Sequence, residues 1–247
     1  MIDSFLPEFL TTESSLTALI LFWATLIAST FGFGSALFAM PLLTLLLGLP
    51  IATPLYGLVG PTIAAVILLR NWQLVDFASS WRLIGSTLVG IPMGIWLVKY
   101  LPGDYITYAL GTFLIGFGAY RLANLQLVKL ENSAWAFPFG LIAGILGGAY
   151  NTNGPAIAVY GELHQWSPTQ FRATMQSYFL PTGIGIVIGH YLAGLWQLEI
   201  FQLYSFSLPG VLAAIAIGGW LNQRLPIEQF QSFLSVLLIL LGMLLWF

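Results

Sequence analysis

Two amides and a hydroxyl occupy three consecutive positions, Asn151, Thr152 and Asn153, inside an otherwise apolar run, and Gly154 and Pro155 follow at once. Such a stretch is costly away from water unless its amides and freed backbone groups line a cavity or meet other polar groups. It also reads as a helix start. Asn153 or Gly154 serves as N-cap, and Pro155 fits the first helical position, where a missing N–H removes no bond. A helix that starts inside a bundle directs free N–H groups and the positive end of its dipole inward, an arrangement that holds anions. Phe31-Gly32-Phe33-Gly34-Ser35, followed by Pro41, is a second interruption, with Ser35 able to cap a helix start of its own. Asn151, Thr152, Asn153, Gly154, Gly34 and Ser35 are therefore the first candidates for a substrate site.

Arg172 is the next. It lies four residues after Pro168, and one helical face runs on from it through Gln176. An Arg reaching into the bundle presents a forked donor to a sulfonate, sulfite or carboxylate; an Arg snorkelling to lipid headgroups explains the residue equally. Glu162 and His164 end the preceding apolar run, where either can pair with Arg172, as a salt-bridged loop or as a gating or coupling element. His190, among apolar residues, is expected to make a helix–helix hydrogen bond rather than to relay protons. Close helix packing accounts for Gly32, Gly34, Gly90, Gly94, Gly218 and Gly219, and an interfacial belt for Trp72, Trp81, Trp96, Trp166, Trp196 and Trp220.

The elements that position these residues must be membrane helices. Only 6 % of the 247 residues are charged and 58 % are hydrophobic, with a mean hydropathy of +0.90. Sixteen charged side chains cannot cover a soluble particle of this size, since soluble domains carry about a quarter charged residues. Apolar stretches fall at 15–31, 35–48, 54–70, 79–98, 104–122, 134–149, 155–165, 168–193, 200–221 and 227–247. Runs such as Leu42–Leu47 lack the period of two that a β-barrel needs, so helices remain as the spanning structure. The short neighbours 15–31 with 35–48, and 134–149 with 155–165, flank the two polar interruptions. Each pair reads as one discontinuous helix or a helix plus a re-entrant half, leaving about eight transmembrane segments in an all-α integral membrane protein.

An internal repeat is expected. An offset of 114 carries Gly34 onto Gly148, Pro41 onto Pro155 and Pro54 onto Pro168; an offset of 124 carries Trp72-Gln73-Leu74 onto Trp196-Gln197-Leu198, Trp96-Leu97 onto Trp220-Leu221 and Leu101-Pro102 onto Leu225-Pro226. The step places ten extra residues in 168–193 relative to 54–70. The halves are 1–123 and 134–247, joined by a polar linker at 124–133, in parallel or inverted relation. With eight crossings Arg70, Arg82, Arg121 and Lys129 share the side of the termini against Lys99, Arg172 and Arg224, a four-to-three bias toward cytoplasmic termini.

Several classes drop out. A net charge of −2 gives no basic field for nucleic acid. Zero Cys, and two His that are 26 residues apart, leave no metal site, iron–sulfur cluster or thiol nucleophile. No cofactor is expected, and without HExxH, GxSxG or paired intramembrane aspartates the chain does not read as an enzyme. The N-terminal Asp3, Glu8 and Glu13 lack the basic region of a cleavable signal.

The block Phe31 to Pro41, its partner Gly147 to Pro155, Gly161, and Trp166-Ser167-Pro168-Thr169-Gln170-Phe171-Arg172-Ala173-Thr174 together resemble the sulfite exporter TauE/SafE family of bacterial membrane permeases. The resemblance covers nearly the whole chain. It implies a multi-pass protein of the bacterial inner (cell) membrane that moves a small anionic substrate, sulfite or a related organosulfur anion, outward by alternating access. Where many members carry a glycine-rich run in the second motif, this chain has Tyr150-Asn151-Thr152-Asn153, a departure that bears on substrate. An anion channel or a membrane scaffold without transport is the alternative. The expected partners are the anion and the lipid bilayer, with a homo-oligomer left open.

Overall fold

The computed structural model describes residues 12–71, 77–123, 129–130, 132–222, 224 and 227–246. Among these are ten α-helices, one 3-10 turn (Ser133–Trp135) and no strand: α1 (Thr12–Phe31), α2 (Ser35–Leu47), α3 (Leu49–Asn71), α4 (Phe77–Tyr100), α5 (Gly103–Leu122), α6 (Ala136–Tyr150), α7 (Gly154–Leu163), α8 (Pro168–Leu192), α9 (Leu198–Asn222) and α10 (Ile227–Leu244). Five segments, Thr12–Phe31, Leu49–Leu69, Ser80–Tyr100, Ser133–Tyr150 and Leu198–Asn222, are each long and apolar enough to cross a bilayer. Large apolar side chains such as Trp23, Val89, Tyr191 and Ile217 stand on the outside. A soluble protein would not leave so much apolar surface uncovered. The protein is an all-α integral membrane protein with its helices broken at the Gly/Pro motifs.

Glycine contacts fix the direction of each helix. Gly140, Gly144 and Gly148 of α6 meet Leu83, Thr87 and Ile91 of α4 in the same order, so these helices run parallel. Their backbones come so close that a Cβ on Gly94 would strike the Ile145 carbonyl, which is why both faces repeat a small residue every four positions. α1 and α9 form a like pair, with Phe22 near Gly210, Ser29 against Gly218 and Asn222 Nδ2 donating to the Thr30 carbonyl at 2.5 Å. α8 also runs with α4: Ser177 bonds Ser80, Gly185 meets Leu88 and Gly189 meets Ile95. Antiparallel pairs are α5 with α10, where Gly111 meets Gly242 and Gly118 meets Ser235, and α3 with α8, where Pro61 meets Gly183 and Gly57 meets His190.

Because α6 and α8 both run with α4, α7 between them must carry the chain back. α6 and α7 are therefore a helical hairpin with its tip at Asn151–Asn153, the re-entrant form of the two arrangements expected. The tight link after α8, where Gly194 takes φ 71, reverses the chain into α9, so α1, α3 and α9 share one direction. α2 therefore returns as α7 does, and α1 and α2 form a second hairpin with its tip at Gly32–Gly34.

Three sequence expectations change. α3 starts at Leu49, not near Pro54, because Gly48 at φ 74 turns the chain in a single residue. α3 and α8 have 23 and 25 residues, so no ten-residue extension separates them. The first helix starts recur 119 residues apart, Ser35 to Gly154 and Leu49 to Pro168, rather than 114. The glycines matched at 114 do unlike jobs, since Gly34 breaks a helix while Gly148 packs inside one against Ile91. The offset of 124 suits the later helices: α5 and α10 start that far apart, and Trp96 and Trp220 are 54 % and 55 % exposed. Trp72-Gln73-Leu74, Leu225-Pro226 and residues 124–128 and 131 of the linker lie outside the described residues.

Candidate functional site

The two hairpin tips meet over one cavity of about 70 Å³, closed by the middles of α3 and α8. A cavity of about 150 Å³ admits benzene, so this one suits an ion of a few heavy atoms. Gly32, Gly34, Ser35, Asn151, Thr152, Asn153, Gly154 and Gln176 all reach its wall. The structure thus brings together eight of the residues singled out from sequence. Gly32 and Gly34 both stand on this wall, and Gly34 also packs closely against Leu234 of α10 and Ile27 of α1, the close helix packing expected of it.

At the first tip Gly32 and Gly34 take φ 93 and φ 98, values an L side chain resists, and this lets α2 start abruptly at Ser35. No side chain caps that start; the Ser35 hydroxyl turns to Tyr56 instead. Gln176 of α8 ties the tip down, its Nε2 donating to the Gly32 carbonyl at 3.3 Å.

At the second tip Asn151 ends α6 in the left-handed region at φ 54, and its N–H bonds the Gly147 carbonyl at 2.8 Å. Its Nδ2 donates to the Thr53 carbonyl at 2.7 Å, while Thr53 Oγ1 donates to the Ala149 carbonyl at 3.4 Å, so the tip is clasped to the start of α3. Thr152 folds back on the Leu146 carbonyl. Asn153 occupies the N-cap position of α7, but its amide donates to Thr182 Oγ1 at 3.3 Å and does not cap. Both α2 and α7 therefore begin at the cavity with first-turn N–H groups that no side chain covers, two positive dipole ends on one small space.

No charged side chain lines the cavity among the described residues. Arg172 belongs to the first turns of α8, one turn before Gln176 and on its face, and its side chain lies outside the described residues. Glu162 and His164 are elsewhere, at the far end of α7. Glu162 is ion-paired with Arg121 of α5 and accepts from Tyr120 at 2.9 Å. His164 stacks on Tyr160, with Nδ1 3.0 Å from that residue's carbonyl. Sequence reasoning missed Tyr56, Pro61, Phe179 and Gly183, which also wall the cavity; each sits in an apolar run where nothing in its type marks it out.

These features define a class: a helical membrane protein in which two broken hairpins close on a small, uncharged cavity whose mostly apolar wall carries a few polar groups at the hairpin tips. The sulfite exporter TauE/SafE family model matches residues 17–245, and the chain belongs to that family. No curated protein and no solved structure matches the chain significantly.

Proposed function

We propose that this protein is a permease of the bacterial inner membrane that binds sulfite or a related small organosulfur anion between its hairpin tips and exports it by alternating access. The observation that carries this reading is the convergence of two uncapped helix starts, at Ser35 and Gly154, on a cavity sized for a few heavy atoms. Asn151, Thr152, Asn153, Gly154, Gln176, Gly34 and Ser35 form the anion's shell. Arg172 supplies charge from one turn beyond Gln176, and Glu162 and His164 belong to the tether that the α6–α7 hairpin releases as it moves.

The chain is two copies of inverted topology, 1–123 and 134–247 around a linker at 124–133. Repeat-equivalent helices, α5 with α10 and α3 with α8, pack antiparallel. A two-fold axis relating such helices lies across them, in the membrane plane. The hairpins then enter from opposite faces, so moving one or the other opens the same site to opposite sides.

Two fold-backs also reassign the charges. Arg70 ends α3, Arg82 begins α4, Arg121 ends α5, Arg172 begins α8 and Arg224 follows α9, all at one end of the bundle. Lys129 joins them, because the Leu130 N–H bonds the Leu163 carbonyl at the end of α7. Lys99 alone stands at the other end, with Glu13, Asp104 and Glu199. Six cations against one favour the first end in the cytoplasm, with the start of α1 and the end of α10 outside, opposite to the bias that eight crossings give.

The test is ligand stabilisation across sulfite, thiosulfate, sulfoacetate, taurine and small carboxylates, followed by counterflow of the binder in proteoliposomes. Saturable counterflow is expected in the wild type and its loss in a folded Asn153→Leu variant. Flux without counterflow, or no anion binding at all, refutes the carrier. Because the chain has no native Cys, single cysteines at 104 and 224 labelled from either side of the membrane check the orientation.

A further inference from the structure

His190 is fully buried, and neither ring nitrogen has a hydrogen-bond partner. The helix–helix bond that sequence assigned to it is not made. The ring lies against Gly57 of α3, 3.0 Å from where a Cβ would stand, and Asn151 Oδ1 lies 3.6 Å from the same point. Gly57 therefore leaves room for an imidazole beside the clasp of the second tip. The Gly148 backbone lies beside the ring without completing a hydrogen bond to either nitrogen, and the Trp196 ring stands edge-on to it, centroid to centroid 6.3 Å. A donor and an acceptor buried unpaired in hydrocarbon surroundings are a standing cost that packing does not explain.

The ionisable groups around it are few. Lys99 of α4 is held on the Ala193 carbonyl at 2.8 Å. Tyr56 of α3 turns to Ser35 and Tyr150 of α6 to the Ile106 carbonyl. No carboxylate faces the ring among the described residues. An imidazolium here has no protein counter-charge, and the anion in the cavity walled by Asn151 is the charge that balances it.

We propose that His190 is a proton-binding site coupled to the anion site: the proton adds to the free ring nitrogen as the anion enters and leaves with it, so both move in the same direction. This rests on the permease reading. Sulfite binding is measured at pH 6 and pH 8 in wild type and His190→Gln, and the difference between the two proteins removes the titration of sulfite itself. One linked proton changes affinity by up to tenfold per pH unit. Sulfite affinity is expected to rise toward low pH much more steeply in wild type than in His190→Gln, with equal affinities at pH 8. His190→Gln is also expected to lose accumulation driven by a pH gradient while keeping counterflow. Equal pH dependence in the two proteins overturns the proposal. If His190→Gln does not fold, proton uptake is measured on adding sulfite to unbuffered wild type; uptake no greater than sulfite's own titration also overturns it. Wild type without sulfite counterflow defeats the permease reading and this one with it, whereas counterflow without linked protons defeats this one alone.

Discussion

Replacing Asn151 separates two things its position does. The residue holds φ 54 at the end of α6 and donates Nδ2 to the Thr53 carbonyl at 2.7 Å. Asn151→Gly removes the amide but keeps the left-handed turn at no steric cost. Interhelical hydrogen bonds in membranes average about 0.6 kcal/mol and reach about 1.7, so this substitution should lose about 1 kcal/mol. Asn151→Leu loses the same bond and adds the left-handed penalty of an ordinary side chain, about 1–2 kcal/mol, for a total of about 2–3 kcal/mol. The predicted order is wild type, Gly, Leu, with the last step near tenfold in the unfolding equilibrium. Reversible unfolding in mixed micelles, followed by the fluorescence of the nine tryptophans, measures it. Asn151→Leu as stable as Asn151→Gly would refute the left-handed turn, and Asn151→Gly as stable as wild type would refute the clasp.

Four further outcomes are expected. Gly94→Val drives a side chain into the Ile145 carbonyl and the Ala149 N–H and should cost about 1–3 kcal/mol in thermal melts, whereas Gly116→Ala, with open space around it, should not destabilise. A double-mutant cycle on Arg121→Gln and Glu162→Gln should give a coupling near 1 kcal/mol in unfolding; zero coupling would show that the pair does not tether α7. Arg172→Lys should weaken sulfite binding roughly 10-fold or more if the guanidinium bonds the anion, while wild-type affinity would mark a headgroup anchor. Asn153→Leu should still fold, as judged by gel filtration, yet fail to exchange anion.

Helix positions were legible because apolar length and Gly/Pro punctuation are local properties. Nine of the ten apolar stretches begin within about three residues of a helix start, and the exception, α3, turns on one left-handed glycine, Gly48. Direction was not legible, since hydropathy is the same read up or down. That α7 returns follows only from Gly148 meeting Ile91 and Gly189 meeting Ile95, and every assignment of a cation to a membrane face depends on it. The polar residues at the second break announced themselves by cost, which is why Asn151 to Asn153 were found, whereas Gln176 was reached along the helical face that runs on from Arg172. Glu162 was set near Arg172 by proximity in sequence, but its partner Arg121 lies 41 residues away, and no pattern along one chain points to that.

The parallel pairing of α1 with α9 has a consequence for biogenesis. Asn222 and the Thr30 carbonyl it grips are 192 residues apart, so the ribosome must add all of that chain before α1 meets its close-packed neighbour. α4 likewise waits in the bilayer for α6, its Ser86, Gly90 and Gly94 face without a mate. Contacts so distant in the chain form late and slowly, and α1 and α4 must stay apart from wrong neighbours, or be shielded by the insertion machinery, until α9 and α6 have been made. A chain cut between Ala123 and Lys129 should therefore yield two fragments that are unstable alone and assemble when made together.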